Sequence, residues 1–506
     1  MTLGLELIDT TLGAGDNGHD GGDKINRNFA KIDNLLSGTR TAWQTLVADL
    51  QSGVSTGVTV NGDSTVAITS APGAGPSTPS SDAKWPGRFL PAMGTQLTAL
   101  GIDARIELYS WTNGAVGSQR ALSFMAPWIV QPGANGERGV LFTSGATLKS
   151  RTISALNCYA RTVDDFEIEV KVNFASLTPG NDGILVSDGF LGATKGVALS
   201  QGASGEINLW YMAQGGAGNW AVSGSTTLPS WSVPASTHGI AAGVDTCIRV
   251  EFTASTGTAV MKTSTNNGVT WTTVATSAAA GSTVVNKPSN TRSIGGDENS
   301  TNGATTYFQN GTIYRAIIRD GINGPLTVPY EIEEWITTNP SANSSLVGSP
   351  TLRWWNAAWT GQKFSYYATN LNAMIQPLGK GIILLCNGHN ETVMGADLTA
   401  LADTWLSNVK TRTKGPNSFI VALQNPESVI GRAAAAAAHN SRNATMAAWA
   451  RENGLGVMDC RPAFPVVNLA NSIKVDGIHP ADTLVGYGAQ SNQFLRDAGF
   501  QPTVTF

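Results

Sequence analysis

The sequence predicts a parallel α/β domain interrupted by an antiparallel β-sandwich, with a short helical segment in front. Three observations predict it. Apolar strands alternate with amphipathic helices in residues 54–121, and the same pattern returns in residues 346–506. Between them, residues 122–345 hold many short alternating runs and almost no helical period. The two α/β stretches together make about 230 residues, a normal size for one domain.

Residues 1–53 form the leading segment. Residues 1–22 are rich in Gly and Asp and read as irregular. In DKINRNFAKIDNLLSG, Ile25, Phe29, Ile32 and Leu36 fall four, three and four apart, one apolar stripe on a short helix. Asp23 can cap its start and Gly38 can end it. Trp43, Leu46, Val47 and Leu50 repeat the pattern. Such a helix either packs on its own domain or serves oligomerisation and docking.

Residues 54–121 read as strand, turn, helix, strand. The apolar run Val58-Thr59-Val60 breaks sharply at Asn61-Gly62-Asp63-Ser64. Residues 84–101 are helical, with Phe89, Leu90, Met93, Leu97 and Leu100 on one side. ARIELYSW is a short strand ending in the Gly-bearing turn TNGAVGSQRA.

In the middle region, DDFEIEVKVNF alternates strictly, so Phe166, Ile168, Val170, Val172 and Phe174 face one way. EINLWYM, TCIRVEFTAS, TAVMKTSTNNGVTWTTV and GTIYRAIIRDG are further strands, and Asn267-Gly268 signals a hairpin. Many short strands without helices indicate an antiparallel sandwich. After residue 346 the pattern changes back. KGIILLCNGHN, NSFIVALQNP and LGVMDCRPAF are strands, separated by the helices ADLTALADTWLSNVKTR and AAAAAAHNSRNATMAAWARENG. Strands alternating with helices imply a parallel sheet covered on both faces.

Composition narrows the function. Only 13% of the 506 residues are charged, the net charge is −4, and no Lys/Arg cluster is present. Electrostatic nucleic-acid binding is therefore not expected. Cys158, Cys247, Cys386 and Cys460 have no metal spacing and read as buried free thiols, with a Cys158–Cys247 pair as the alternative. No cofactor and no metal are expected. The opening MTLGLELIDTTLG lacks a signal-peptide pattern, and no apolar run nears the ~18 residues of a membrane span, so membrane insertion is not expected either. A neutral, polar, β-rich chain without an export signal suits release inside a virus particle.

Ser64 needs a base before it can act as a nucleophile. The chain has five histidines, and His479 in VDGIHPAD stands three residues after Asp476. An Asp in that position can orient the imidazole, the role of the acid in a catalytic triad. Acyl transfer also needs hydrogen-bond donors for the oxyanion. Asn390, in CNGHNE at the end of a predicted strand, offers one. His389 beside it is either a substrate contact or a loop-orienting residue. His439 reads as a surface residue. Trp354, Trp355 and Trp359 in LRWWNAAW form either a sugar-stacking platform or core packing. Small or polar side chains, including Asn61 and Thr65, are expected around Ser64.

The ordered set resembles the SGNH (GDSL-type) serine hydrolases. Gly62-Asp63-Ser64 matches the first block, Gly117 in NGAVGSQ the second, Gly388-His389-Asn390-Glu391 the third, and Asp476-Gly477-Ile478-His479-Pro480 the fifth. Gly114 rivals Gly117, and Glu391 stands where the family usually has Asp. The resemblance implies a flavodoxin-like three-layer hydrolase fold. It implies Ser64 as nucleophile, His479 as base and Asp476 as its orienter. The backbone N–H groups of Ser64 and Gly117 and the Asn390 side chain would form the oxyanion hole. The insertion is similar to laminin-G/concanavalin-like jelly rolls. GGDKINRNFAKIDNLL resembles the openings of bacteriophage tail proteins, which implies a homotrimeric tail spike or fibre that docks on other tail proteins through its N-terminus. The expected activity is O-deacetylation of bacterial surface polysaccharide (O-antigen, capsule or exopolysaccharide). The alternatives are a lipid or small-ester esterase, and a non-catalytic glycan-binding receptor protein.

Overall fold

The computed structural model describes residues 38–63, 65–66, 85–110, 128–143, 148–149, 160–180, 182–188, 196–211, 231–287, 292–295, 311–324, 326–327, 344–358, 361, 363–369, 381–386, 388–413, 417–427, 433–464, 480 and 484–500. The stripe Ile25–Leu36 lies outside them.

Among the described residues, seven strands form the α/β sheet: β1 (Thr56–Gly62), β2 (Arg105–Ser110), β3 (Trp128–Gln131), β4 (Thr351–Asn356), β5 (Gly381–Cys386), β6 (Asn417–Leu423) and β7 (Gly456–Asp459). Their spatial order is β7-β6-β5-β1-β4-β2-β3. All neighbours pair parallel except β3, which runs antiparallel to β2. Every residue of β1 is buried, because β4 and β5 flank it and helices cover both faces. The strand order reverses around β1, so the loops at its carboxyl end meet in the crevice where open α/β sheets place their ligands.

The helices are α1 (38–51), α2 (Trp85–Ala99), α3 (Phe364–Thr369), α4 (Gly395–Thr413), α5 (Ala433–Glu452) and α6 (Ala489–Asp497). On one face, Val58, Val60, Trp354, Leu384 and Met458 pack with Trp43 of α1, Trp85 and Phe89 of α2, and Phe494 of α6. On the other, Trp355, Ile383, Leu385 and Val421 pack with Phe364 of α3, Trp405 of α4 and Met446 of α5. This is a three-layer α/β architecture.

The Trp43–Leu50 pattern therefore finds its partner within the α/β unit. Trp43 stacks on Trp354 with ring centroids 6.4 Å apart and meets Phe89 at 5.3 Å. Thr39 also closes the sheet edge: its hydroxyl donates to Val457 O at 2.9 Å and accepts from Val457 N at 2.8 Å.

Among the described residues the insertion shows two antiparallel sheets, of six and seven strands. Phe166, Ile168, Val170, Val172 and Phe174 all point into its core at 0% exposure, as the alternation predicts. Asn267 and Gly268 have φ of 61° and 85° and turn the chain between strands Thr258–Ser264 and Thr272–Thr276. The boundaries shift by several residues from 122 and 345. Trp128–Gln131 pairs with β2 and belongs to the α/β sheet, whereas Ser344–Val347 pairs with Gly139–Phe142 in the sandwich. The two crossings lie side by side. Gly348 takes φ +79° where a Cβ would sit 2.0 Å from Glu137 O, and Arg138 donates to Gly348 O at 2.7 Å. Ion pairs also span the junction: Glu137 meets Lys171 of the sandwich and, at 3.6 Å, Arg105 of β2.

Candidate active site

β1 ends at Gly62, and only glycine fits there: a Cβ would lie 2.7 Å from Cys386 O in the neighbouring strand. Asp63 follows, fully buried. Its Oδ1 accepts from the Thr65 backbone N–H at 3.0 Å and the Thr65 hydroxyl at 2.9 Å, which closes the turn around position 64. Side chains from four other elements pin the same turn. Tyr367 of α3 donates to Gly62 O. Asn356 at the end of β4 donates to Val66 O at 3.1 Å. Trp405 of α4 donates to Asn61 Oδ1 at 3.1 Å. Gln424, just past β6, donates to Asp63 Oδ2 at 2.7 Å. Asn61 and Thr65 are thus buried, not rim residues: Asn61 Oδ1 accepts from Trp405, and the Thr65 N–H and hydroxyl both donate to Asp63.

A second loop, 388–391, follows β5. Gly388 has φ +154° and faces Gln424, where a Cβ would meet Oε1 at 3.0 Å. Its carbonyl accepts from Arg442 Nε of α5 at 3.0 Å. Glu391 is buried, and its carboxylate accepts from Thr392 N at 2.8 Å and from Phe364 N of α3 at 2.9 Å. The glutamate at this position therefore anchors the loop to α3. Asn390 lies between these fixed neighbours and is half-buried.

His389 is a loop-positioning residue rather than a substrate contact, because its ring is only 1% exposed. Its Nδ1 meets Glu427 Oε1 at 3.0 Å, and its ring stacks on His439 at 3.9 Å with 10° between planes. His439 is not at the surface; it is fully buried on the inner face of α5. Its Nε2 meets Asn425 O at 2.9 Å. Burial, and then the neighbouring His389, hold its pKa down at about 2, so the ring stays neutral.

Ligand atoms of His389, Glu427 and His439 lie within 4.8 Å of one another, close enough to consider a metal. The rings argue otherwise. They are nearly parallel and 3.9 Å apart, so one ion cannot lie in both ring planes as an imidazole ligand requires. The trio fits a stacked, hydrogen-bonded support for the loop.

Trp354 and Trp355 are 0% and 2% exposed and form core, not a sugar platform, because β4 is an inner strand of a sheet covered on both faces. Trp355 stacks on Tyr109 at 4.0 Å. Ser64, Gly114, Gly117, Trp359, Asp476 and His479 lie outside the described residues. Among the described ones the structure brings together the Asp63–Val66 turn and the Gly388–Glu391 loop. Gln424, Asn425, Glu427 and Arg442 were not singled out from sequence, although Gln424-Asn425 directly follows a buried parallel strand, where site residues gather.

No protein-family model matches the chain, and no curated protein matches it in sequence. Solved structures similar to parts of it include an α/β hydrolase from the metagenome of Lake Arreo, Spain, at 17% identity and TM-score 0.25, covering 29% of this chain and 73% of that one. A variant of an acetyl xylan esterase from Geobacillus stearothermophilus is 16% identical at TM-score 0.26, covering 31% and 76%. Domains LG4-5 of the mouse laminin α1 chain are 12% identical at TM-score 0.24, covering 39% and 44%.

Proposed function

We propose that this chain is a serine carboxylic-ester hydrolase that removes O-acetyl groups from bacterial surface polysaccharide, carried as a homotrimer on a bacteriophage tail. One observation carries the hydrolase reading. The turn that holds position 64 sits at the carboxyl end of the central strand, and a single buried amide ties it to the loop that holds Asn390. The order of the Gly-Asp-Ser, Gly-His-Asn-Glu and Asp-Gly-Ile-His blocks in the sequence supports the same reading.

In this reaction Ser64 Oγ adds to the acetyl carbonyl carbon as His479 takes its proton. The oxyanion is held by the Ser64 and Gly117 N–H groups and the Asn390 amide. Collapse breaks the ester C–O bond, and His479 returns the proton to the departing sugar oxygen. Water, deprotonated by His479, then releases acetate from the acyl-serine. Asp476 keeps the imidazole in the tautomer that accepts from serine. The tail context rests on the resemblance of residues 21–36 to tail-protein openings and on the polar, weakly charged composition.

Acetate release from purified polysaccharide tests the substrate class, alongside kcat/KM for p-nitrophenyl acetate, butyrate and octanoate below their micelle-forming concentrations. Release of acetate together with a fall from acetate to octanoate is the expected outcome. A steady rise with chain length would assign a lipid esterase, and no turnover of any ester would leave a glycan-binding protein.

A further inference from the structure

Gln424 hydrogen-bonds to both loops of the candidate site. It is fully buried. Its Oε1 accepts from the His389 backbone N–H at 2.7 Å. Its Nε2 donates to Asp63 Oδ2 at 2.7 Å, with Thr65 Oγ1 at 3.2 Å and Cys386 O at 3.4 Å also in reach. The partners fix the amide's orientation without ambiguity. The His389 backbone N–H can only donate, so the amide oxygen must face it and the amide nitrogen is left to donate to Asp63.

A glutamine side chain does both, its nitrogen donating and its oxygen accepting. The bridge needs a donor at one end, an acceptor at the other, and no net charge in a site closed to water. Asparagine has the chemistry but is one methylene too short to span the gap. Glutamate has the length but sets a second carboxylate against Asp63. Helix α3 also reaches both, through the Tyr367 hydroxyl on Gly62 O and the Phe364 backbone N–H on Glu391, while Asn356 and Trp405 hold only the first side and Arg442 only the second.

We propose that Gln424 is a positioning residue of the hydrolase, setting the distance between the turn that carries Ser64 and the loop that carries Asn390. The proposal rests on the reading of Ser64 as nucleophile and Asn390 as oxyanion donor. Gln424 itself touches no substrate. It fixes where the nucleophile stands relative to a donor, and a displacement of about 1 Å between such groups can cost on the order of 100-fold in rate.

The test compares Gln424→Leu and Gln424→Glu in the full chain, with circular dichroism to verify the fold and p-nitrophenyl acetate as substrate. Gln424→Leu is expected to lower kcat about 100-fold while KM stays within a few-fold. Gln424→Glu is the more discriminating variant, because two carboxylates sharing one site hold a proton to raised pH. With that proton in place the bridge is restored. The ratio of Gln424→Glu to wild-type kcat should therefore rise as pH falls from about 9 to about 6, with the titration of His479 cancelling in the ratio. If Gln424→Leu does not fold, the pH-dependent ratio alone decides. Folded variants with near-wild-type kcat, a loss confined to KM, or a ratio independent of pH would overturn the proposal. Ser64→Ala separates the two claims. If it is inactive while the Gln424 variants are fully active, only the positioning role fails; if it retains full turnover, the reading beneath it fails as well.

Discussion

The candidate site and the outer face of the sandwich's seven-stranded sheet both bury polar groups, but the first mixes neutral amides with charges and the second is built on ion pairs. Around the candidate site the amides Asn61, Gln424, Asn425 and Asn443 and the ring of His439 are buried among the ionisable Asp63, Glu391, Glu427 and Arg442. On the outer face of the seven-stranded sheet the buried groups are ions. Glu167 and Glu169 are 0% and 4% exposed, on the face opposite Phe166 and Ile168. Arg315 meets Glu169 at 2.6 Å, Arg249 meets it at 2.7 Å, and Arg319 meets Glu167 at 3.2 Å. Arg249 also lies over the Trp271 ring, 4.1 Å from its centre. At the site the neutral Gln424 amide reaches the buried Asp63 carboxylate without adding a second charge beside it. The ion network uses directional pairs to hold adjacent strands, and it depends on every partner remaining charged.

Matched substitutions give the largest expected effects. Glu169→Ala leaves the buried Arg315 and the half-buried Arg249 beside a lost counter-charge and should cost the sandwich about 3–5 kcal/mol. Trp354→Ala opens a cavity in the α/β core and should cost that unit about 3–5 kcal/mol. Denaturant unfolding followed by calorimetry should show each change moving a different transition. Small-ester hydrolysis at low denaturant should survive Glu169→Ala. A single transition moved equally by both would mean that the two regions unfold as one, consistent with the apolar cluster that runs continuously from the sandwich into one face of the α/β sheet.

The smaller effect is in pH dependence, where one carboxylate in each region shifts in opposite directions. Burial works against the charge of Glu169, but Arg315 and then Arg249 outweigh it and hold the carboxyl at about 2. Its contribution is present above its unfolded pKa near 4.5 and is lost as pH falls from there toward 2. Asp497 in α6 goes the other way. Burial, reinforced by nearby Asp459, lifts it to about 6 despite hydrogen bonds from Asp459 N–H and Gln493. The native state therefore takes up this proton first, and the α/β unit gains stability as pH falls from about 6 to about 4, by no more than about 3 kcal/mol. Asp497→Asn should flatten that rise. An α/β transition that weakens steadily from pH 6 to 4 in the wild type would contradict it.

The sequence makes the architecture legible where periodicity is strong. Period-2 alternation marks Phe166–Phe174, the left-handed pair Asn267-Gly268 marks the turn after Thr258–Ser264, and apolar runs mark β5 and β6. What it hides is set by topology. Trp354 and Trp355 look like an aromatic surface cluster until β4 is seen inserted between β1 and β2, where both faces are covered. His439 looks solvent-facing in an alanine-rich helix. Yet Ala436, His439, Asn443, Met446 and Ala450 follow the three-and-four spacing of a buried stripe, and that signal was available. Gln424 could be placed near the site only by knowing that β6 lies two strands from β1 in a parallel sheet.

The central claim is that the turn after β1 presents a serine nucleophile. The most direct measurement is p-nitrophenyl acetate turnover by Ser64→Ala against the wild type, with mass spectrometry of wild type quenched during turnover. The account predicts a wild-type acetyl adduct on Ser64. It also predicts a folded Ser64→Ala protein with no adduct and with kcat reduced by at least about 10⁴-fold, leaving only the residual rate of a triad without its nucleophile. Undiminished turnover by Ser64→Ala, or an acetyl adduct on another residue in an active wild type, would contradict it.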